Sequence, residues 1–100
     1  MEALKKKLQQ EVIKSCEKAE KECGCKMTRL IETIEKFGIV RTAQEILRKG
    51  RTSDNFNKLV EAGRIELTME AIIAKAEYAE LFTDEEVNKC YDLLCENGYY

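Results

Sequence analysis

Apolar residues recur along this chain at steps of three and four, and hardly anywhere at steps of two. Leu4, Leu8, Val12, Cys16, Ala19 and Cys23 draw one narrow stripe on a helix over residues 3–23, with lysines and glutamates filling the other positions. So thin a stripe on so long a helix suits a coiled-coil-like contact. The contact is either with the rest of the domain or, through Leu4, Leu8 and Val12, with a second copy of the chain in a homodimer. Gly24 ends this helix. Met27, Leu30, Ile31, Ile34 and Phe37 mark the buried side of a second helix, which Gly38 closes. Val40, Ala43, Ile46 and Leu47 mark a third over residues 40–49, with Arg48 and Lys49 in the last turn, where positive charge complements the helix dipole, and Gly50 behind them.

Arg51-Thr52-Ser53-Asp54 reads as a polar turn, with Ser53 and Asp54 placed to cap a short helix over residues 54–62 that carries Phe56, Leu59 and Val60. Thr68 is the next start signal. Ile72, Ile73 and Ala76 follow it on one face, with Tyr78, Leu81 and Phe82 beyond, so residues 69–82 read as one helix or as two. Thr83-Asp84-Glu85-Glu86 has the form of a capping box, in which threonine and glutamate satisfy backbone donors reciprocally. The final helix then presents Val87, Cys90, Tyr91, Leu94 and Cys95 as its apolar face and stops at Asn97-Gly98. No sustained alternation competes with these periods. The expected fold is all-α: a compact bundle of five to six helices forming one domain over residues 1–100, a long amphipathic helix at 3–23 followed by a helical module at 26–100.

Composition agrees with a globular chain, with 44% hydrophobic and 36% charged residues and no proline to interrupt helices. No apolar run approaches the length of a membrane span or signal peptide, and five cysteines without a secretion signal fit a reducing compartment, so a cytoplasmic location is expected. The net charge of −2 conceals polarity along the chain. Residues 36–64 carry 7 basic and 3 acidic groups, a net +4, whereas residues 65–100 carry 2 and 9, a net −7. Such segregation reads as two partner surfaces of opposite sign, or as basic and acidic helices packed on one another.

Chemistry is sparse. The chain has no histidine, so the usual general base, the usual catalytic triad and the commonest zinc ligand are all missing. Glu85 and Glu86 stand in a first helical turn, where carboxylates are favoured for structural reasons. Cys23-Gly-Cys25 lacks the second matched pair of a zinc site, and Cys16, Cys23, Cys90 and Cys95 fall on apolar helical positions, so core packing is expected and no metal or other cofactor. The glycines punctuate helices and never cluster into a phosphate loop. A helix at 40–49, a turn and a helix at 54–62 have the outline of a helix-turn-helix, with Arg41, Arg48, Lys49, Arg51, Lys58 and Arg64 as the phosphate-binding charge. An acidic chain of pI near 5.3 weighs against DNA as the partner.

From Phe37 onward, over nearly two-thirds of its length, the chain resembles an uncharacterised helical module of bacterial proteins. The resemblance lies in Arg51-Thr-Ser-Asp-Asn-Phe, Gly63-Arg-Ile-Glu-Leu-Thr-Met-Glu-Ala, Leu81-Phe-Thr-Asp-Glu-Glu and Gly98-Tyr. Where Ala76 stands here, that module often has a proline. The module accompanies proteins encoded near restriction and other defence genes, which implies a recognition role and supplies no active-site residues. The expected function is therefore a non-enzymatic protein-interaction module, of phage or bacterial defence or anti-defence, that binds a nuclease or another protein. A helix-turn-helix DNA binder or autorepressor is the alternative. The expected surfaces are the basic middle (Arg41, Arg48, Lys49, Arg51, Lys58, Arg64) and the acidic tail (Asp84, Glu85, Glu86, Asp92), with no membrane partner.

Overall fold

A computed structural model describes residues 2–53 and 55–99. The described residues form six α-helices, α1 (Glu2–Cys23), α2 (Thr28–Phe37), α3 (Ile39–Arg48), α4 (Phe56–Glu61), α5 (Met69–Ile73) and α6 (Asp84–Glu96). Two 3-10 helices, η1 (Ile65–Leu67) and η2 (Ala76–Leu81), lie on either side of α5, so the number of helical elements exceeds the five to six expected. No strand occurs among the described residues. The radius of gyration is 12.3 Å, close to the roughly 13 Å of a compact chain of this size.

The stripe of α1 faces inward. Leu8, Val12, Cys16 and Ala19 are buried, and α1 packs on α2, α3, α5 and both 3-10 helices. Of the residues expected to meet either the rest of the domain or a second copy, Leu8 and Val12 lie in the chain's own core, and Leu4 is half-buried against it. Exposing one such aliphatic side chain for a partner would forfeit about 1.5–3 kcal/mol of burial.

Helix α5 is the hub. Every residue from Met69 to Ile73 is buried, with α1, α6 and η1 packed around it. The Thr68 hydroxyl accepts from the Ala71 N–H (3.2 Å) to start the helix. Residues 69–82 are two elements: α5 ends at Ile73 and the chain turns extended at Lys75 (φ −65°, ψ 138°) before η2. That is the conformation forced on a residue preceding proline, adopted here in front of Ala76. The capping box of α6 is complete, with Glu86 N–H donating to the Thr83 hydroxyl (3.1 Å) and Thr83 N–H to the Glu86 carboxylate (2.9 Å). Of the apolar face expected on α6, Cys90 and Leu94 are buried and Val87 is half-buried, whereas Tyr91 and Cys95 are exposed.

Ser53 departs most from expectation. It is buried and does not cap α4; its N–H donates to Glu70 Oε2 and its hydroxyl to Oε1, both at 2.7 Å. Asp54, the other cap expected, lies outside the described residues. Helix α4 instead starts behind Asn55, whose left-handed backbone (φ 61°) turns the chain and whose side-chain amide donates to the Lys26 carbonyl (2.6 Å).

Candidate functional site

Gly38 alone separates α2 from α3, and its backbone (φ 85°, ψ 156°) is one that glycine adopts without strain. Its N–H donates to the Ile34 carbonyl (2.7 Å), closing α2, and its carbonyl accepts from Thr42 N–H (3.1 Å) and the buried Thr42 hydroxyl (2.8 Å). Phe37 is the last residue of α2 before this corner. The sequence places Phe37 on the buried side of its helix; in the structure it is 47% exposed. Lys36 Nζ and the Arg41 guanidinium lie 5.3 and 5.4 Å from its ring centroid, both within cation–π range.

Two grooves meet at Phe37 and Arg41. The larger, of about 820 Å³, runs between the first half of α1 and α3; Ile13, Ile39, Val40 and Phe37 form its apolar part, and Lys5, Lys6, Arg41 and Arg48 its cationic part. The smaller, of about 530 Å³, lies between α2 and α3, with Arg29, Arg41, Lys49 and Arg51 around Leu30, Phe37 and Ile46. Arg51 and Lys49 are held beside it by the end of α3, where Gly50 (φ 67°) carries a Schellman turn: Arg51 N–H donates to the Ile46 carbonyl (3.0 Å) and Gly50 N–H to Leu47 (3.1 Å).

The charge on this face is largely unanswered. Lys6, Arg29, Lys36, Arg41, Arg48 and Arg51 make no ion pair among the described residues, and the two nearby carboxylates, Glu2 and Glu45, pair with Lys5 and Lys49 of their own helices. Lys14, Lys21, Lys26, Lys58 and Lys89, scattered over the rest of the surface, also make none, but the cations where α1 meets the second half of the chain are matched. Arg64 is gripped between Glu22 (2.7 Å) and Glu66 (2.8 Å), which holds both carboxyls below their usual range, Lys7 meets Glu77 (3.1 Å), and Lys75 meets Glu11.

Of the basic residues singled out by sequence, Arg41, Arg48, Lys49 and Arg51 therefore share one face. Lys58, exposed on α4, and Arg64, engaged by its two carboxylates, line neither groove. In the acidic tail Asp84, Glu85 and Asp92 are exposed, but Glu86 is corrected out of that surface: it is only 6% exposed, serves the capping box and accepts from Gln44 (3.4 Å). Sequence reasoning passed over Lys36 and Phe37, although an aromatic residue between lysine and a corner glycine, with an arginine one helical turn on, was the available signal.

The outline of a helix-turn-helix is altered. Residues 49–55 separate α3 from α4, and α4 has six residues and rests on η1, with Phe56 and Leu59 turned inward. At 1.5 Å per residue it is about 9 Å long, and its exposed side offers one cation, Lys58, beside Glu61.

No metal-binding group of three or more cysteine or carboxylate residues comes together among the described residues, and no described helix is long and apolar enough to cross a membrane. The thiol of Cys90 is sealed in the core, its pKa pushed up to about 12 by burial and by the Glu70 and Glu86 carboxyls. No protein-family model, curated protein or solved structure matches this chain.

Proposed function

We propose that this chain is a non-enzymatic recognition module that binds a protein partner of complementary acidic charge through the α2–α3 face. The observation that carries the reading is the contrast in charge pairing. Among the described residues, six cations on the face around an exposed aromatic ring lack carboxylate partners, while the cations where α1 meets the second half of the chain have them. An exposed aromatic side chain flanked by arginines is the composition from which energetically dominant interface positions are drawn. The resemblance to a helical module that accompanies bacterial defence proteins makes a nuclease or other defence protein the first partner to test.

DNA binding as a helix-turn-helix is supported less well. The six-residue α4 turns Phe56 and Leu59 inward and exposes a single cation, Lys58, beside Asn57 and Glu61. The two readings separate in one experiment: retention of bacterial lysate proteins and of duplex DNA on the immobilised chain, beside its Arg41→Glu/Arg48→Glu variant. A defined protein retained by the parent and lost with the variant is expected. Salt-dependent retention of duplex with no protein retained would overturn the proposal in favour of DNA.

A further inference from the structure

The groove between α1 and α3 combines three properties that narrow the kind of partner. Its apolar part is incompletely covered: Ile13 and Val40 are half-buried and Phe37 stands out from the surface. Its cations Lys6, Arg41 and Arg48 have no carboxylate partner among the described residues. Its walls are helices, from Glu2 to Ile13 on α1 and from Ile39 to Arg48 on α3, which at 1.5 Å per residue span about 16 and 14 Å. That length matches roughly two to three turns of a third helix laid between them.

Resting on the protein-recognition reading above, we propose that this groove takes an acidic amphipathic helix of the partner. Apolar side chains at helical spacing seat on Phe37, Val40 and Ile13, and flanking carboxylates meet Lys6, Arg41 and Arg48. Charge decides the sign of the occupant and the apolar floor decides its chemistry. A polyanion without apolar side chains would meet the arginines and leave the Phe37 ring and the half-buried aliphatics in water, whereas an amphipathic helix covers both. Gln9 and Gln10 on α1 supply uncharged donors along the same wall.

The test uses the full chain and three synthetic helix-forming peptides: one with leucines at i, i+3 and i+7 and glutamates elsewhere, a twin with lysines for the glutamates, and a twin with serines for the leucines. Binding is followed by calorimetry and by amide shifts. The acidic leucine peptide is expected to bind and to shift Gln9, Ile13 and Val40, with both twins at least about tenfold weaker, a difference of 1.4 kcal/mol. Phe37→Ala and Arg41→Glu/Arg48→Glu are each expected to weaken it by a similar factor or more; all three positions are exposed, and unchanged circular dichroism confirms folding. Equal binding of the serine twin, or indifference to Phe37→Ala, would overturn the inference while charge sensitivity still upholds protein recognition. Silence of all three peptides would also overturn it, and the lysate experiment would then decide the broader reading separately.

Discussion

Where α1 meets the second half of the chain, charge is answered within the molecule: Lys7 by Glu77, Glu11 by Lys75 and by the Tyr78 hydroxyl (2.6 Å), Glu22 by Arg64. Along α3 it is not. On that face the ion pairs are local ones, Lys5 with Glu2 on the facing wall of α1 and Lys49 with Glu45 at the end of α3, and the arginines make no ion pair among the described residues. The two regions also differ in apolar cover, since Tyr78 on the first is fully buried whereas Phe37 on the second is half out. A surface closed on itself holds a fold together. One with unpaired cations and an uncovered ring is the surface for which recognition of a partner is proposed above.

That comparison breaks most readily on the closed side. Leu8→Ala removes a fully buried side chain from the core and is expected to cost about 2–5 kcal/mol, read as a lower denaturation midpoint. If Leu8 instead formed a seam between copies, the change would alter the molar mass measured by light scattering and leave the stability of the monomer intact.

Next in size is the buried carboxyl of Glu70. Glu70→Ala leaves the Ser53 N–H and hydroxyl without their acceptor and is expected to cost about 1–3 kcal/mol. Burial raises the pKa of Glu70, against the hydrogen bonds from Ser53, and no cation among the described residues offsets it. Its contribution is thus fully present below the ordinary carboxylate pKa and is lost as pH rises towards and through the folded-state value. Glu11 behaves oppositely: burial pushes it up, but the hydrogen bonds from Lys75 and Tyr78 outweigh that and hold it low, as Arg64 holds Glu66. Those two stabilise above their unfolded pKa and cease to do so as pH falls through their folded one. Denaturation across a pH series should show both limbs, and Glu70→Gln should flatten the upper limb alone.

The smallest effect is expected on the open side. Arg41→Gln with Arg48→Gln should change stability by no more than about 1 kcal/mol, because neither side chain holds an ion pair among the described residues and the exposed stacking of Arg41 on Phe37 is worth about 0.5–1 kcal/mol. A larger loss in thermal denaturation would mean that these arginines belong to the fold, and the contrast between the two regions would vanish.

Much of this architecture follows from local rules. Spacing alone marked the stripe of α1 and the buried sides of α2 and α3, because a 3.6-residue period has one geometric outcome. Thr83 and Glu86 declare the start of α6 by chemistry confined to one turn, and Gly38 and Gly50 end their helices through a backbone freedom that no neighbour supplies. The all-helical class and the basic character of the middle segment are written in the residues themselves.

Tertiary structure decided which of these residues face one another. Ser53 has the composition of a cap, yet a carboxylate seventeen positions away claims both its donors; Glu70 has the look of an exposed first-turn acid, yet it is buried with the four other residues of its helix. Glu66 stands two positions from Arg64 in sequence and offers itself as a local partner, but only the course of the chain brings Glu22 to Arg64 across 42 positions and leaves Arg41 without an ion pair among the described residues. Periodicity reports what is apolar along one helix. Burial and pairing depend on distances between segments remote in sequence, and those exist only once the chain has folded.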